Sequence, residues 1–325
     1  MIVNLFRHTQ AISILGVLAL CILLWVGVSF QDTALIVDSS NPLFNYIINP
    51  ITKYGFLERI LVSGLVFWQC IYINKILVGQ KIFSTNTFYP AFFYFILISF
   101  WPQSLHLSAE LFAITFFLLA INKTLQTYLS NNAYSKVFEL SFYSSLAVLI
   151  HPPFFVFLPI IWIGMSIFSQ GEWRHWLLSI LALISPWFIL INFNQYFKLE
   201  KLELANFYSF LVKEQVLSSW STLNIVAVVI LIIVLLISMS ELLKSLSRKK
   251  SKARKSYIYL MWFLPFSFLY VFISPALIWH KLLIVAVPFT ALISNYFYYY
   301  KKTNWLNFIG FIMLLFLCLN QCTNY

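Results

Sequence analysis

Ser144–Phe168, "SSLAVLIHPPFFVFLPIIWIGMSIF", is the stretch that decides how this chain folds. It is almost entirely apolar and long enough to cross a bilayer, yet His151, Pro152 and Pro153 interrupt it. Proline removes a helix hydrogen bond, and the residue before a proline disfavours the helical conformation. We therefore predict that one helix ends near Ile150 and that another begins near Pro153.

The two pieces beside this break, residues 138–150 and 152–168, would each be about 20–25 Å long as helices. A hydrocarbon core of about 30 Å is thicker than either piece. We predict a helical hairpin over 137–168, with its turn at the outer face of the membrane. One long, proline-kinked helix is the alternative, because prolines also kink membrane helices.

The composition of the whole chain indicates a membrane protein. Of its 325 residues, 61% are hydrophobic and only 10% are charged, whereas soluble domains have about 25% charged residues. We predict an all-α, polytopic fold in which residues 1–325 form a single membrane domain. The net charge of +11 comes from basic residues that lie mostly between apolar segments. They are interpreted as topology anchors that contact lipid headgroups, and nucleic acid is not expected as a partner.

Apolar runs of membrane-spanning length recur along the chain. They lie near residues 11–30, 57–79, 87–104, 108–126, 137–168, 176–194, 222–241, 257–274, 281–299 and 304–321. Because the hairpin divides the fifth run into two, the prediction is about eleven transmembrane helices, within a range of about 10–12.

Charge distribution distinguishes the hairpin from the kinked helix. With the hairpin and a cytoplasmic N-terminus, most of the 21 Lys and Arg residues, including those of the basic loop 242–256, lie inside. With a single kinked helix that basic loop would lie outside, against the positive-inside rule. We therefore predict a multi-pass protein of a bacterial inner membrane, with periplasmic loops at 31–56 and 195–221.

Acidic residues are scarce, and the only two aspartates, Asp32 and Asp38, both fall in the first predicted periplasmic loop. A carboxylate at the membrane surface could act as a general base, or could bind a divalent cation. The alternative is a purely structural role, since aspartates are common in loops and cap helices.

Further titratable side chains are expected at the same outer face. Glu110 follows Ser108 at the start of a predicted span, where a serine N-cap with an acid in the first turn is the structural alternative. His106, His151 and His280 share this level and could bind a metal or move protons together. Taken singly, each is typical of a polar residue at the membrane interface.

Several classes of function lack their usual signals in the sequence. We find no nucleotide-binding or zinc-protease motif, and no acid that is clearly at mid-membrane, which disfavours an ion-coupled transporter. The four cysteines lie in or at the ends of apolar runs without metal-type clustering. We predict neither a disulfide framework nor a metal site from them.

Three segments resemble the GT-C superfamily, polytopic glycosyltransferases that use polyprenyl-phosphate sugars. "SSLAVLIHPPFFVFLP" is similar to a proline-interrupted stretch of that family, and "LALISPWFIL", with Pro186 and Trp187, to its span ending in Pro-Trp. "ELFAITFFLLAINK" looks like the family's fourth span. The resemblance covers roughly residues 10–195.

This resemblance implies a transferase site at the periplasmic face. Asp32 matches the position of the family's catalytic acid, with Asp38 as the alternative. The donor is a lipid-linked sugar, and no cofactor is implied beyond a divalent cation at the first periplasmic loop. The residues expected to bind lipid phosphate are Lys53, Arg59, His151, His280 and Lys281, with Glu110 and His106 in support.

A second resemblance is to an uncharacterised multi-pass membrane family of Gram-negative bacteria. The segment "IYINKILVGQKIFSTNTFYPAFFYFILISFWP" is similar to that family and implies no chemistry. Three functions follow as hypotheses: a GT-C-type glycosyltransferase, a non-catalytic scaffold or subunit of an envelope assembly with other membrane proteins as partners, and a transporter of lipids or small molecules.

Overall fold

In a computed structural model of the chain, the described residues form helices, turns and short connections without any strand, which confirms the all-α prediction. The structure describes residues 6, 11–28, 55–83, 85–100, 107–130, 132–168, 172–197, 222–274, 278–300 and 303–323. The helices are α1 Ala11–Val28, α2 Gly55–Gly79, α3 Tyr89–Ile98, α4 Ala109–Gln126, α5 Ala133–Ile150, α6 Leu158–Phe168, α7 Trp173–Phe197, α8 Thr222–Ser245, α9 Ser251–Ile273, α10 Ile278–Leu283, α11 Ala286–Tyr299 and α12 Thr303–Thr323.

Within these ranges, six helices are long and apolar enough to cross a membrane. The expected count of about eleven is not confirmed by this criterion. Two of the apolar runs form helices of only 10 and 11 residues, α3 and α6. The six candidate spans are Leu57–Gly79, Ala109–Gln126, Trp173–Tyr196, Val228–Arg248, Ser251–Ile273 and Lys281–Tyr299.

The predicted break at the His-Pro-Pro sequence is present. Helix α5 ends at Ile150, and His151 has extended backbone angles of φ −134° and ψ 95°. A 3₁₀ segment, Pro152–Phe157, follows and leads directly into α6 at Leu158. The prolines occupy the first turn of this segment, where a missing N–H costs no helix hydrogen bond.

Side-chain packing shows that the chain reverses direction at this break. Val137 and Leu140, near the beginning of α5, form a small apolar cluster with Ile161 and Met165 of α6. Residues from the start of one helix therefore meet residues from the far part of the next, as in an antiparallel hairpin. The region 137–168 is a hairpin rather than one kinked helix.

Helix α3 forms the centre of the bundle, and all ten of its residues are buried. It packs against α1, α2 and α11. The apolar run near 87–104 was expected to span the membrane, but its described helix is only 10 residues long, which corresponds to about 15 Å. By contrast, α7 and α8 leave most of their apolar side chains exposed.

The two ends of the bundle differ in chemistry. Contacts between helix ends gather lysines at one end, which we call the basic end and define by Lys123, Lys136, Lys249 and Lys252. The opposite end contains the first turns of α2 and α4, the last turns of α5 and α9, and the short helix α10.

Candidate functional site

A buried carboxylate, an imidazole and a phenol meet at the opposite end, in a group that we call the Glu–His–Tyr cluster: Glu110, His151 and Tyr270. Tyr270 Oη lies 2.9 Å from His151 Nε2, a hydrogen-bonding distance. Glu110 Oε1 lies 3.7 Å from the same nitrogen. The side chains of His151 and Glu110 are only 1% and 2% exposed. Three titratable side chains therefore share one site that bulk water does not reach.

Local sequence signals place each member of the cluster. Ser108 is the N-cap of α4, and its hydroxyl accepts a hydrogen bond of 3.4 Å from the backbone N–H of Leu111. This confirms the N-cap interpretation and puts Glu110 in the first turn, where the helix dipole favours a carboxylate. His151 is fixed by the proline break that ends α5, and Tyr270 lies in the last turn of α9.

The cluster is suited to moving a proton. One arrangement has the Tyr270 hydroxyl donating to a neutral imidazole, and the other has a protonated Nε2 donating to the phenol oxygen. Glu110 Oε1 has no hydrogen-bond partner among the described residues, although it is buried beside the imidazole. A carboxylate oxygen in this position can accept a proton after a movement of less than about 1 Å.

A second acid, Glu58, lies at the same end and was not singled out from the sequence. It sits in the first turn of α2, and its Oε1 accepts a hydrogen bond of 3.1 Å from the backbone N–H of Leu107. Leu107 immediately precedes the cap of α4, so Glu58 fixes the segment that positions Glu110. Arg59 follows Glu58 on α2 and is partly exposed.

Short helix α10 brings a lysine to this end, because α10 packs against both α4 and α9. The Lys281 side chain is buried, with an exposed fraction of 2%. Within the described part of the chain, no carboxylate lies within 4 Å of its ammonium group. A buried lysine without a carboxylate neighbour is suited to binding an anionic group.

Aromatic rings fill the bundle directly below the cluster. Phe154 lies 5.5 Å from the His151 ring and 5.3 Å from the Tyr270 ring, measured between centroids. Phe117 and Phe157 continue this layer, at 5.9 Å and 5.3 Å from Phe154. Apolar rings therefore pack against the cluster on the side that faces the basic end.

The structure describes the positions of only some of the sequence-predicted site residues, and their roles stay predictions. Glu110, His151, Arg59 and Lys281 all lie at the opposite end, and the first two are in direct contact. His280 belongs to α10, with its side chain outside the described residues. Asp32, Asp38, Lys53 and His106, and nearly all of both predicted periplasmic loops, also lie outside the described residues.

Tyr270 is the member of the cluster that sequence reasoning missed. It is one of 18 tyrosines and lies 119 positions from its partner His151. No local pattern marks it, since its role depends on which helices are neighbours. Glu58 had a weak signal, namely an acid inside an apolar run.

One lysine at the basic end has an unusual environment. The Lys249 ammonium donates to Asn295 Oδ1 at 2.7 Å, and lies 3.9 Å and 4.8 Å from the ring centroids of Tyr299 and Tyr257. Burial lowers the pKa of Lys249 from its ordinary value of 10.5 to about 8. The two rings and the amide oxygen favour the charged form and oppose this effect.

These features define a polytopic, all-helical membrane protein with a buried Glu–His–Tyr cluster near one end of its bundle. The chain belongs to DUF6427, a family of unknown function, whose model matches residues 43–323. No curated protein and no solved structure matches the chain. Within the described ranges, no group of three or more His, Cys, Asp or Glu side chains could hold a metal ion.

Proposed function

We propose that the protein is a membrane-embedded glycosyltransferase of GT-C type, which uses a polyprenyl-phosphate-linked sugar at the opposite end of its bundle. The observation that supports this most is the burial of Glu110 beside His151 and Tyr270. Ionisable residues within a membrane protein are costly to bury and commonly serve function. Carboxylate, imidazole and phenol are also the side chains that transfer protons in enzymes.

In this proposal the reaction joins an acceptor hydroxyl to the sugar. Asp32, or Asp38 in its place, takes the proton from the acceptor. The acceptor oxygen then bonds to the anomeric carbon while the bond from that carbon to the phosphate oxygen breaks, which releases polyprenyl phosphate. Glu110 and His151 take the proton onward, and a divalent cation at the first periplasmic loop would neutralise part of the phosphate charge.

The donor phosphate would be held by cations at this end. Lys281 is supported by its burial without a carboxylate neighbour, and Arg59 by its place near the start of α2. Lys53, His151 and His280 complete the proposed set, with His106 in support.

The proposed topology follows from the charge difference between the two ends. We place the basic end in the cytoplasm, because short cytoplasmic loops are enriched in Lys and Arg. The Glu–His–Tyr cluster is then periplasmic, the N-terminus is cytoplasmic and the membrane is the bacterial inner membrane. Counting α1, α3, α5, α6 and α12 as spans beside the six candidates gives the proposed total of eleven.

Transport is less well supported than transfer. The aromatic layer of Phe117, Phe154 and Phe157 fills the space beneath the cluster. A transporter needs a polar route through this region, whereas a transferase needs only a site at the membrane surface.

A non-catalytic subunit of an envelope assembly is the second candidate. It is favoured by the exposed apolar faces of α7 and α8, where Phe188, Leu181 and Leu236 are each more than half exposed. Such faces pack against lipid or against helices of another membrane protein.

The test uses a strain that lacks the gene, complemented with wild-type protein or single variants at matched abundance. Lipid-linked sugars are quantified by mass spectrometry of membrane extracts. The proposal predicts that the deletion strain accumulates one polyprenyl-phosphate sugar and that wild-type protein removes this excess. The variant that lacks the catalytic acid, Asp32→Asn or in its place Asp38→Asn, should leave the excess unchanged. An unchanged pool of lipid-linked sugars in the deletion strain would contradict the transferase and favour the subunit.

A further inference from the structure

We propose that the basic end contains a binding site for the phosphate headgroup of an anionic phospholipid, formed by Lys81, Lys136 and Lys252. This site lies at the other end of the bundle from the Glu–His–Tyr cluster and does not depend on the proposed transferase activity. We call these three residues the lysine triad.

Neutral acceptors, rather than acids, hold two lysines of the triad, Lys252 and Lys136. The Lys252 ammonium donates to Gln80 Oε1 at 2.9 Å. The Lys136 ammonium donates to the backbone carbonyl of Gln126 at 3.0 Å. Lys81 follows Gln80, and the charges of Lys81 and Lys136 both lie near enough to repel that of Lys252. Three positive charges are therefore brought together without being neutralised by these contacts.

An amide network gives this site a fixed framework. The buried side chain of Asn122 accepts hydrogen bonds of 3.2 Å from the amide groups of both Gln80 and Gln126. Its own amide nitrogen donates to Tyr72 Oη at 2.8 Å. The two glutamines that carry the lysine contacts are thus connected through one buried residue. The triad rests on a structure that links α2 and α4, rather than on independent surface side chains.

The positive charge of the triad is left uncompensated. Within the part of the chain that the structure describes, no carboxylate lies within 4 Å of the three ammonium groups. Two acids at this end are already paired, Glu139 with Lys123 and Glu241 with Lys244, and Glu172 accepts a hydrogen bond from the Tyr134 hydroxyl. Like charges held close together are unfavourable unless an anion joins them. A phosphate, with several acceptor oxygens, is suited to three ammonium donors.

The backbone of Lys81 supports a role for its side chain. Two hydrogen bonds end α2, from Lys81 N to the Val78 carbonyl at 2.9 Å and from Ile82 N to the Leu77 carbonyl at 3.2 Å. This pattern places Lys81 at the position where glycine is the usual residue. Its φ is +55°, in the left-handed region. A lysine in this conformation is strained, so packing and backbone geometry alone would favour glycine.

A lipid headgroup fits this location better than a soluble anion. The triad lies where α2 and α4 end and α5 and α9 begin, and lipid phosphates lie at the level of helix ends in a bilayer. Helix α2 also has an exposed apolar face, with Trp68 and Ile71 40% and 37% exposed. This face, on the helix that ends at the triad, can contact the acyl chains of a bound lipid.

The test measures lipid binding to the purified full-length protein in detergent by native mass spectrometry. Phosphatidylglycerol, phosphatidylethanolamine and inorganic phosphate are titrated separately. The triple variant Lys81→Gln, Lys136→Gln, Lys252→Gln is compared with a control that removes the same charge at the same end: Lys75→Gln, Lys250→Gln, Arg254→Gln.

We expect wild-type and control proteins to bind phosphatidylglycerol in preference to the other two ligands. The triad variant should bind phosphatidylglycerol about 100-fold more weakly, because each lysine contributes about 1 kcal/mol of binding free energy. The single variant Lys81→Gly should bind it about fivefold more weakly while its melting temperature stays equal or rises, because glycine relieves the strained backbone. Equal weakening in the triad and control variants would overturn the proposal, as would unchanged binding by Lys81→Gly. Inorganic phosphate that displaces phosphatidylglycerol at equal concentration would also overturn it, in favour of a soluble-anion site.

Discussion

Tyr270→Phe is the sharpest test of the Glu–His–Tyr cluster, because it removes a single oxygen and keeps the ring. The ring contacts with Phe154 and Phe157, at 5.3 Å and 5.5 Å between centroids, are preserved. The 2.9 Å hydrogen bond to His151 Nε2 is lost. Because His151 is 1% exposed, water cannot replace the phenol. Losing a hydrogen bond between two buried side chains costs about 1–3 kcal/mol.

This loss should be visible as a lower melting temperature. A change of one kcal/mol in the free energy of unfolding shifts the melting temperature of domains of 150–250 residues by about 2–4 °C. We use the lower value of about 2 °C, because this chain is longer. We therefore expect Tyr270→Phe to melt about 2–6 °C below wild-type protein. The measurement is thermal unfolding of the purified proteins in one detergent, followed by tryptophan fluorescence.

Tyr257→Phe is the matched control, on the same helix α9. Tyr257 is also fully buried, but its hydroxyl has no hydrogen-bond partner among the described residues. Removing an unsatisfied buried hydroxyl should leave the stability unchanged or raise it. If the two phenylalanine variants melt at the same temperature, the hydrogen bond between Tyr270 and His151 does not stabilise the protein.

Further predictions concern packing and the basic end. Gly164→Ala should lower the free energy of unfolding by about 1–3 kcal/mol, because the added Cβ would clash with Thr124 Cγ2 and lie 2.8 Å from a ring carbon of Tyr259. Gly64→Ala is the control and should leave this free energy unchanged or raise it, because nothing lies within 4 Å of its added Cβ. Equal melting temperatures for these two alanine variants would contradict the close packing. Burial lowers the pKa of Lys249 to about 8 from 10.5, so between these values the folded protein releases a proton that the unfolded chain keeps. Wild-type protein should therefore gain about 1 kcal/mol of stability relative to Lys249→Gln as the pH rises through this window, after allowance for solvent screening. Parallel stability curves from pH 7 to pH 10.5 would show that Lys249 keeps its ordinary pKa.

Local sequence signals predicted the parts of the fold that depend on neighbours in the chain. The His-Pro-Pro break fixed the end of α5 at Ile150 because two prolines cannot continue a helix. Ser108 was expected as an N-cap, and it accepts the capping hydrogen bond. These features need only a few consecutive residues, so a single sequence contains the necessary information.

Features that depend on helix neighbours could not be predicted from the sequence. The contact between His151 and Tyr270 joins residues 119 positions apart, and the one between Lys252 and Gln80 joins residues 172 apart. Hydrophobic periodicity gives no information on which helices adjoin when nearly every face is apolar. For the same reason the sequence does not separate membrane spans from buried helices, since the fully buried α3 is at least as apolar as helices of membrane-spanning length.

The buried Glu–His–Tyr cluster is proposed to serve the protein's function. The most direct measurement is complementation of a deletion strain by Glu110→Gln, which keeps the shape of the side chain but cannot take up a proton. Glu172→Gln is the control, since Glu172 also accepts a tyrosine hydrogen bond, 2.8 Å from Tyr134, but is exposed and lies at the basic end. At equal protein abundance, we predict that Glu110→Gln fails to restore the wild-type phenotype while Glu172→Gln restores it fully. Full complementation by Glu110→Gln would contradict a functional role for the cluster.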